Sequence, residues 1–422
     1  MNYTNTHVER TSAIHEIRNL PKLNSFLFPE GYELLPNISE LFELEFAFYE
    51  YKILEKEEII HRGAFFKSVD KRLTSHYVIC SNNSPHIWKG RSGITQSYFK
   101  EGNFSTGYAT HGLFPYRGKF HPQLIKGILN ILQIQPGDLI LDPMCGSGTL
   151  NVEAAIIGID SIGIEKSPFC TLMSKVKYES LKADRNVLSM ALSNMTNNYR
   201  TLIRSRKVQD KFDFKDNFNL SKAISLLSFL DSMGFSRRCN KSIDVLFPSV
   251  LKRYVGQIKS FVQARDSLDL QIGEARFDIG DAGALPLEDN SIDAVITSPP
   301  YSFAIDYAEN DRPQLEFLGY DVMSLKEDMI GLKGKTKREK LSSYFEDMSR
   351  VLAEMSRVLK VNKYAVIIIG SNDIQTGGIR LETKIEELAS KNSFVLDQKI
   401  IKPIKGIQNT MKDEYILFLR RV

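Results

Sequence analysis

The sequence predicts a doubly wound α/β fold with a mostly parallel sheet, an N-terminal extension and a helical insertion. From about residue 120 onward, short apolar strands alternate with helices, which is typical of a parallel sheet covered on both faces. The first of these strands runs into a Gly-rich turn that opens a helix, and acidic residues stand at or just after the ends of three successive strands. Together these features predict a ligand site at the carboxyl edge of the sheet.

The predicted elements follow one another along the second part of the sequence. The stretch 121–132 predicts a helix, because Pro stands near its start and apolar residues recur at helical spacing. The apolar stretch 41–54 fits both strand alternation and helical spacing, so its type stays open. Strands are predicted at 138–142, 161–165, 275–282, 291–301, 364–370, 394–401 and 414–421, and helices at 151–158, 344–360 and near 383–391.

We expect three regions. Residues 1–105 form an N-terminal region of unknown role, residues 106–170 and 271–422 form the α/β domain, and residues 171–270 form a helical insertion without the strand–turn–helix alternation. From Thr171 to Ala275 there are eighteen Lys and Arg against ten Asp and Glu, although the whole chain carries only +4. A basic excess in one segment favours contact with a polyanion. A helical buttress with solvated lysines is the alternative.

Composition excludes several classes of protein. The four cysteines are scattered and form no CxxC pair, which argues against a disulfide framework and against a thiolate metal site. His76, Cys80 and His86 lie close in sequence, but no fourth ligand is near, so we expect no metal. The N-terminus lacks the apolar region of a signal peptide, and the longest apolar runs are too short to span a bilayer. These features predict a soluble, cytoplasmic protein without a membrane partner.

The Gly-rich turn lies in the sequence LDPMCGSGT (141–149). Gly146 and Gly148 allow a tight turn and close approach of a ligand to the backbone, over the start of a helix. Glu165 ends the next strand, where a carboxylate can accept both hydroxyls of a ribose. Asp281 follows the third strand, beside the expected position of an adenine edge. This succession of glycines and acids predicts a nucleoside site.

The second motif is TSPPY (297–301), at the end of a strand. The exocyclic amino group of a base is a poor nucleophile, because its lone pair is delocalised into the ring. The Ser298 side chain and the Pro299 carbonyl can each accept a hydrogen bond from such a group, and the two prolines fix the backbone. Tyr301 offers a face on which an extruded base can stack. The alternative is a rigid loop with no chemical role.

These motifs resemble those of the amino-methyltransferases that act on nucleic acids. DPMCGSGT is similar to motif I (DPFxGSGT), and SPPY is similar to motif IV, whose Ser-first form is typical of N4-cytosine enzymes. The segment 110–124 resembles motif X of N4-cytosine DNA methyltransferases, although Phe114, Arg117 and His121 depart from the usual residues. The segment 301–319 resembles the family's post-catalytic segment. The resemblance covers about 110–165 and 275–422.

The resemblance implies a Rossmann-like methyltransferase sheet that binds S-adenosylmethionine, flips a cytosine out of double-stranded DNA and methylates its N4 atom. The implied catalytic residues are Ser298, Pro299, Pro300 and Tyr301. The implied cofactor-binding residues are Tyr116, Lys119, Phe120, Asp142, Pro143, Cys145, Gly146, Gly148, Thr149, Glu165, Asp281 and Ala282. The expected nucleic-acid-binding residues, taken from the basic runs, are Arg204, Arg206, Lys207, Arg237, Arg238, Lys333 and Lys335.

Several alternatives stay open. Asp-first or Asn-first motifs are typical of adenine-N6 enzymes, and DPMCGSGT also resembles motif I of RNA guanine-N2 methyltransferases. A cofactor-binding regulatory protein that binds nucleic acid without turnover is the non-enzymatic alternative. Cys145 occupies the variable position of motif I and is expected to pack rather than to attack a base. The basic run 333–340 fits either a solvated face or phosphate contacts. A cognate restriction endonuclease as a partner and the oligomeric state are left open by the sequence.

Overall fold

The computed structural model describes residues 20–81, 106–116, 119–205, 218–300, 306–370, 376–404 and 413–422. A small antiparallel sheet comprises β1 (Tyr32–Leu34), β2 (Phe66–Val69) and β3 (Arg72–Leu73). The large sheet comprises β4 (Leu139–Asp142), β5 (Asp160–Glu165), β6 (Ala275–Ile279), β7 (Ile292–Thr297), β8 (Leu359–Gly370), β9 (Phe394–Pro403) and β10 (Asp413–Arg421).

The order of strands in the large sheet is β6–β5–β4–β7–β8–β10–β9. Strands β4 to β8 pair in parallel, whereas β10 runs antiparallel to both β8 and β9. The chain moves outward from β4 to β6 and then returns to place β7 beside β4. Ligands of open α/β sheets bind at such a switch point, outside the carboxyl ends of the strands. The predicted doubly wound, mostly parallel fold is therefore confirmed.

The helices of the first part of the chain are α1 (Leu20–Leu27), α2 (Leu41–Ile53), α3 (Lys56–Arg62), α4 (Ser75–Ser81), α5 (Pro122–Ile131) and α6 (Thr149–Ile156). The insertion contains α7 (Pro168–Leu181), α8 (Arg185–Ser193), α9 (Met195–Arg204), α10 (Leu220–Cys239) and α11 (Ile243–Ser267). The last helices are α12 (Tyr307–Asn310), α13 (Arg312–Phe317), α14 (Val322–Asp328), α15 (Lys337–Val358) and α16 (Leu381–Lys391). None of the helices in the described ranges is long and apolar enough to cross a membrane.

Helices cover both faces of the large sheet. On one face, α2, α5 and α6 share a core with β4, β7, β8 and β10. The segment 41–54, whose type the sequence left open, is mainly the helix α2, and Phe46 is fully buried in this core. On the other face, α15 and α16 pack against the same sheet, with Tyr344, Met348 and Leu352 fully buried. The described part of the N-terminal region is therefore packed into the main core.

The predicted helical insertion is confirmed, and its helices pack together around one apolar cluster. Leu113, from the motif X segment, and Leu315, from α13, belong to the same cluster. Gln257 of α11 is buried and donates hydrogen bonds of 2.8 Å to the carbonyls of Gly107 and Ala109. The insertion thus supports the segment that precedes the Gly-rich turn.

Candidate active site

The Gly-rich turn joins β4 to α6 and is braced on two sides. Gly146 and Gly148 both adopt positive φ, at 50° and 72°, which favours glycine. A Cβ on Gly148 would meet Ser174 of α7 at 2.7 Å, so close helix packing requires glycine there. A Cβ on Gly146 would meet nothing within 4 Å, and Gly146 lines an open cavity. The turn therefore presents bare backbone to this cavity.

Glu165, the last residue of β5, holds the turn in place. Its carboxylate accepts hydrogen bonds from the backbone N–H of Gly146 at 2.7 Å and of Ser167 at 2.9 Å. Burial raises the pKa of this carboxyl above its usual range, and the backbone donors oppose that rise. Glu165 also lines the cavity, so its carboxylate is positioned to meet a ligand that rests on the Gly-rich turn.

The cavity has about 870 Å³ of open space, part of it continuous with solvent. Its acidic members are Glu165, Asp281 and Asp328, and Met329, Ile330 and Leu332 give part of its wall an apolar surface. Lys166 forms an ion pair of 3.2 Å with Asp328, and both residues line the cavity. The remaining residues along it are Tyr116, Pro143, Met144, Gly146, Ser167, Cys170, Gly280, Ala282, Ser298, Pro300 and Tyr307.

The SPPY motif reaches the same cavity. Ser298 and Pro300 line it directly, and Pro299 is buried between them. The residue before the motif, Thr297, is fully buried and donates a hydrogen bond of 2.7 Å to Asp142. Because Asp142 ends β4, this bond ties the base of the Gly-rich turn to the base of the SPPY motif.

Asp142 does not line the cavity; it lies beneath it, fully buried. One carboxyl oxygen accepts from Thr297 and from the N–H of Met144 at 3.1 Å. The other has no partner among the described residues. Burial raises the pKa of Asp142 to about 7, and the hydrogen bonds from Thr297 and Met144 only partly oppose this rise.

The motif X segment is anchored by a buried ionic cluster. His111 lies 2.6 Å from one oxygen of Glu153, and Lys126 lies 3.3 Å from the other, with all three side chains buried. The charge of Lys126 and the hydrogen bond with His111 hold the pKa of Glu153 down to about 2, although burial alone would raise it. Lys126 also lies 3.2 Å from His76, and Cys80 lies 3.7 Å from that imidazole, so both potential ligands are packed into this cluster.

The structure brings together some of the residues predicted to bind the cofactor. Lys119 and Phe120 lie apart from the cavity: Lys119 donates to the carbonyls of Thr106 and His111, and Phe120 packs against the apolar core. Cys145 is buried and Thr149 begins α6, and both belong to the turn without lining the cavity. Those that line the cavity are Tyr116, Pro143, Gly146, Glu165, Asp281 and Ala282.

The predicted nucleic-acid-binding residues occupy different surfaces. Arg237 and Arg238 are exposed in the last turn of α10 and line a second cleft that adjoins the cavity. Arg204 is exposed at the end of α9. Lys333 pairs with Asp347 at 3.0 Å, and Lys335 is exposed just before α15. Tyr301, Arg206 and Lys207 lie outside the described residues.

Sequence reasoning missed several residues that line this site. Tyr307 and Cys170 line the cavity between the Gly-rich turn and the SPPY motif, and Tyr116 accepts a 3.2 Å hydrogen bond from the Cys170 thiol. Tyr307 belongs to the post-catalytic segment, so the resemblance offered a signal for it. Met329 and Ile330 follow α14 in no recognisable motif, and only the fold places them at the cavity.

Comparisons with known proteins agree with this architecture. A family model described as UPF0020, RMKL-like, methyltransferase domain, matches residues 113–225, which contain the Gly-rich turn and Glu165. The Type II methyltransferase M.MjaII of Methanocaldococcus jannaschii is 45% identical over 87 residues, which are 21% of this chain and 16% of that protein. The Type II methyltransferase M.BsoBI of Geobacillus stearothermophilus is 23% identical over 326 residues, 60% of this chain and 62% of that protein.

These similarities support an amino-methyltransferase family that acts on nucleic acids. A shorter match is to the tRNA (guanine(10)-N2)-dimethyltransferase of Methanothermobacter thermautotrophicus, at 36% identity over 52 residues, which are 12% of this chain and 16% of that protein. The chain spans less than two thirds of the length of each of these three relatives.

The matched methyltransferase domain implies S-adenosylmethionine as the cofactor, and the cavity fits it. Gly146 leaves open space where any other residue would place a Cβ. The carboxylates of Glu165 and Asp281 can accept hydrogen bonds from ribose hydroxyls and from an adenine amino group. The apolar side chains of Met329 and Ile330 offer surfaces for a purine ring. The shape of the cavity and its hydrogen-bond acceptors therefore fit a nucleoside cofactor.

Proposed function

We propose that this methyltransferase transfers the methyl group of S-adenosylmethionine to N4 of a cytosine that has left the stack of double-stranded DNA. One observation carries the proposal: Ser298 and Pro300 line the same cavity as Gly146, Glu165 and Asp281. A hydrogen-bond acceptor for an amino group and the proposed cofactor-binding residues thus line one cavity. A base must be extruded to reach a cavity of this kind.

The proposed chemistry follows from the needs of an amino nucleophile. When bound, S-adenosylmethionine supplies an electrophilic methyl group on a sulfonium centre. The Ser298 hydroxyl and the Pro299 carbonyl accept the two N–H groups of the cytosine, which directs the nitrogen lone pair towards the methyl carbon. Holding the two atoms in line supplies a large share of the rate. The hydrogen bond between Thr297 and Asp142 fixes the strand end from which the motif projects.

Exposed positive charge beside the cavity supports double-stranded DNA as the partner. Arg237 and Arg238 are exposed at the rim of the second cleft, next to the cavity, and cations of this kind are suited to backbone phosphates. We assign two roles to the insertion 171–270: it supports the motif X segment through Gln257, and its exposed cations face DNA. In this proposal, residues 1–105 stabilise the methyltransferase domain formed by 106–170 and 271–422.

Guanine N2 in RNA is the second candidate, because two short matches are to tRNA (guanine(10)-N2)-dimethyltransferases of other organisms. Ser298 favours cytosine over this candidate, since guanine-N2 enzymes usually carry Asn or Asp before PPY. A labelled-methyl transfer assay separates the two. Wild-type protein and Ser298→Ala are incubated with labelled cofactor and either unmethylated genomic DNA or total RNA. We expect Ser298-dependent label in DNA alone, and label confined to RNA would contradict the proposal.

A further inference from the structure

A second cleft opens beside the cofactor cavity, and we call it the side cleft. It has about 1040 Å³ of open space, part of it solvent. Tyr116 and Tyr307 line both spaces, so the two are neighbours across these rings. The side cleft is bordered by α10 of the insertion and by the start of α13. Ser298 lines the cofactor cavity that shares these two rings with the side cleft.

Asp311 is the buried acid of the side cleft. Its side chain is about nine-tenths buried, and it lines the cleft next to Tyr116 and Tyr307. Asp311 occupies the N-cap position of α13, yet its side chain makes no capping hydrogen bond there. The carboxyl is therefore not used to begin the helix, which is the ordinary structural role of an acid at this position.

The other buried polar groups of the side cleft are engaged elsewhere. Asp231 of α10 pairs with Arg253 and accepts a hydrogen bond of 3.2 Å from the Tyr254 hydroxyl. The Gln314 amide donates to the carbonyl of Leu230 at 3.2 Å. Asp311 is thus the acid of this cleft best placed to meet a substrate group.

We propose that Asp311, in its protonated form, donates a hydrogen bond to N3 of the target cytosine while Ser298 and Pro299 hold N4. This inference rests on the proposed function and adds a substrate-binding residue that is not among the site residues implied by the resemblance. On cytosine, the ring nitrogen next to the amino group is an acceptor, so it requires a donor. On guanine, the amino group at C2 lies between N1–H, which requires an acceptor, and N3, which requires a donor. A protonated Asp311 therefore matches N3 of cytosine and disfavours a guanine that presents its N1–H to this acid.

The surroundings of Asp311 favour the neutral acid. Burial raises its pKa to about 7; a hydrogen bond with the neighbouring Tyr116 hydroxyl opposes the rise, and the negative charge of Glu165 adds to it. The ionisable groups that face Asp311 are Tyr116, Glu165, Cys170 of α7 and Tyr307 of α12, together with Asp231, Arg237 and Arg238 of α10 across the cleft. The two arginines are exposed to solvent, which screens their effect on the buried acid.

The test is the pH dependence of kcat/KM for DNA, because this parameter reports ionisation of the free enzyme. If the protonated acid is the active form, wild-type kcat/KM falls about tenfold per pH unit above pH 7. Asp311→Asn keeps an N–H donor and removes the titration, so this fall should disappear. Asp311→Ala should lower kcat/KM by roughly tenfold to a hundredfold, as expected for loss of a buried hydrogen bond. Glu309→Gln is the matched control: Glu309 is an exposed acid on the adjacent α12, bound to Arg312, and its removal should leave the wild-type profile.

Two further measurements separate this inference from the proposed function. Product nucleosides identify the methylated base, and the cofactor Kd of Asp311→Asn should equal that of wild type. Replacing the target cytosine of a mapped DNA site by 3-deazacytosine removes the N3 acceptor. With this DNA, the kcat/KM of the wild type should fall by the same factor as the Asp311→Ala substitution lowers it on normal DNA. The kcat/KM of Asp311→Ala itself should change little. If Asp311→Asn forms N4-methylcytosine with the wild-type pH profile, the role of Asp311 is refuted and the proposed function stands. A wild-type rate that rises through pH 7 would also overturn it.

Discussion

Replacing Glu165 with alanine should weaken cofactor binding more than any other single truncation around the cavity. The carboxylate accepts from Gly146 at 2.7 Å and from Ser167 at 2.9 Å, and in the complex we expect it to accept the ribose hydroxyls as well. A hydrogen bond to a charged group contributes about 1.5–3 kcal/mol. We take the net loss as one such hydrogen bond, because water replaces part of the other hydrogen bonds that the carboxylate makes. The Kd for the cofactor should then rise roughly 10- to 150-fold.

Isothermal titration of S-adenosylmethionine into both proteins measures this change, with thermal melts to show that the variant is folded. Asp278→Ala is the matched control. Asp278 lies on the adjacent strand β6, pairs with Arg276 at the surface and does not line the cavity. The cofactor Kd of Asp278→Ala should therefore stay within about twofold of wild type. Equal affinities for Glu165→Ala and Asp278→Ala would remove Glu165 from the cofactor site.

Three further predictions concern catalysis, stability and DNA affinity. Ser298→Ala should bind cofactor like wild type while turnover in a methyl-transfer assay falls about 100-fold; weakened cofactor binding would contradict this. Burial raises the pKa of Asp142 to about 7, so the native protein keeps a proton that the unfolded chain releases from about pH 4. The free energy of unfolding should therefore fall by up to about 1.4 kcal/mol per pH unit across this window. Asp142→Asn should flatten that slope in urea titrations at pH 5 and 7, and an unchanged slope would refute the assignment. Replacing both Arg237 and Arg238 with Gln should weaken DNA binding. The slope of log K against log salt concentration should become shallower by about 0.9 for each phosphate that the variant no longer neutralises. An unchanged slope would mean that the two arginines do not bind phosphates.

Local patterns were sufficient to predict the sheet. The strands around Asp142 and Glu165 are short, apolar and bounded by turn residues, and the intervening helices require parallel pairing. The segment 41–54 could not be assigned, because apolar and aromatic residues occupy most of its positions. It is mainly a helix because α5 and the sheet provide an apolar surface against it, and no local pattern contains that information.

The candidate site was predictable where a motif carried it and not where the fold assembled it. Asp142 was expected to face the cofactor, but it lies beneath the cavity and bonds to Thr297, 155 residues later in the chain. That bond depends on β4 and β7 being neighbours, which the order of the motifs alone does not specify. Asp311 lies in the post-catalytic segment but matches none of its characteristic residues, and only its burial beside Tyr116 draws attention to it.

The most direct test of the central claim is the identity of the methylated nucleoside. Unmethylated genomic DNA is incubated with the wild-type protein and S-adenosylmethionine, digested to nucleosides and analysed by mass spectrometry against synthetic standards, with Ser298→Ala in parallel. We expect N4-methylcytosine from wild type and about 100-fold less from the variant. N6-methyladenine in its place, or unmodified DNA beside N2-methylguanine in RNA, would contradict the assignment of cytosine as the substrate.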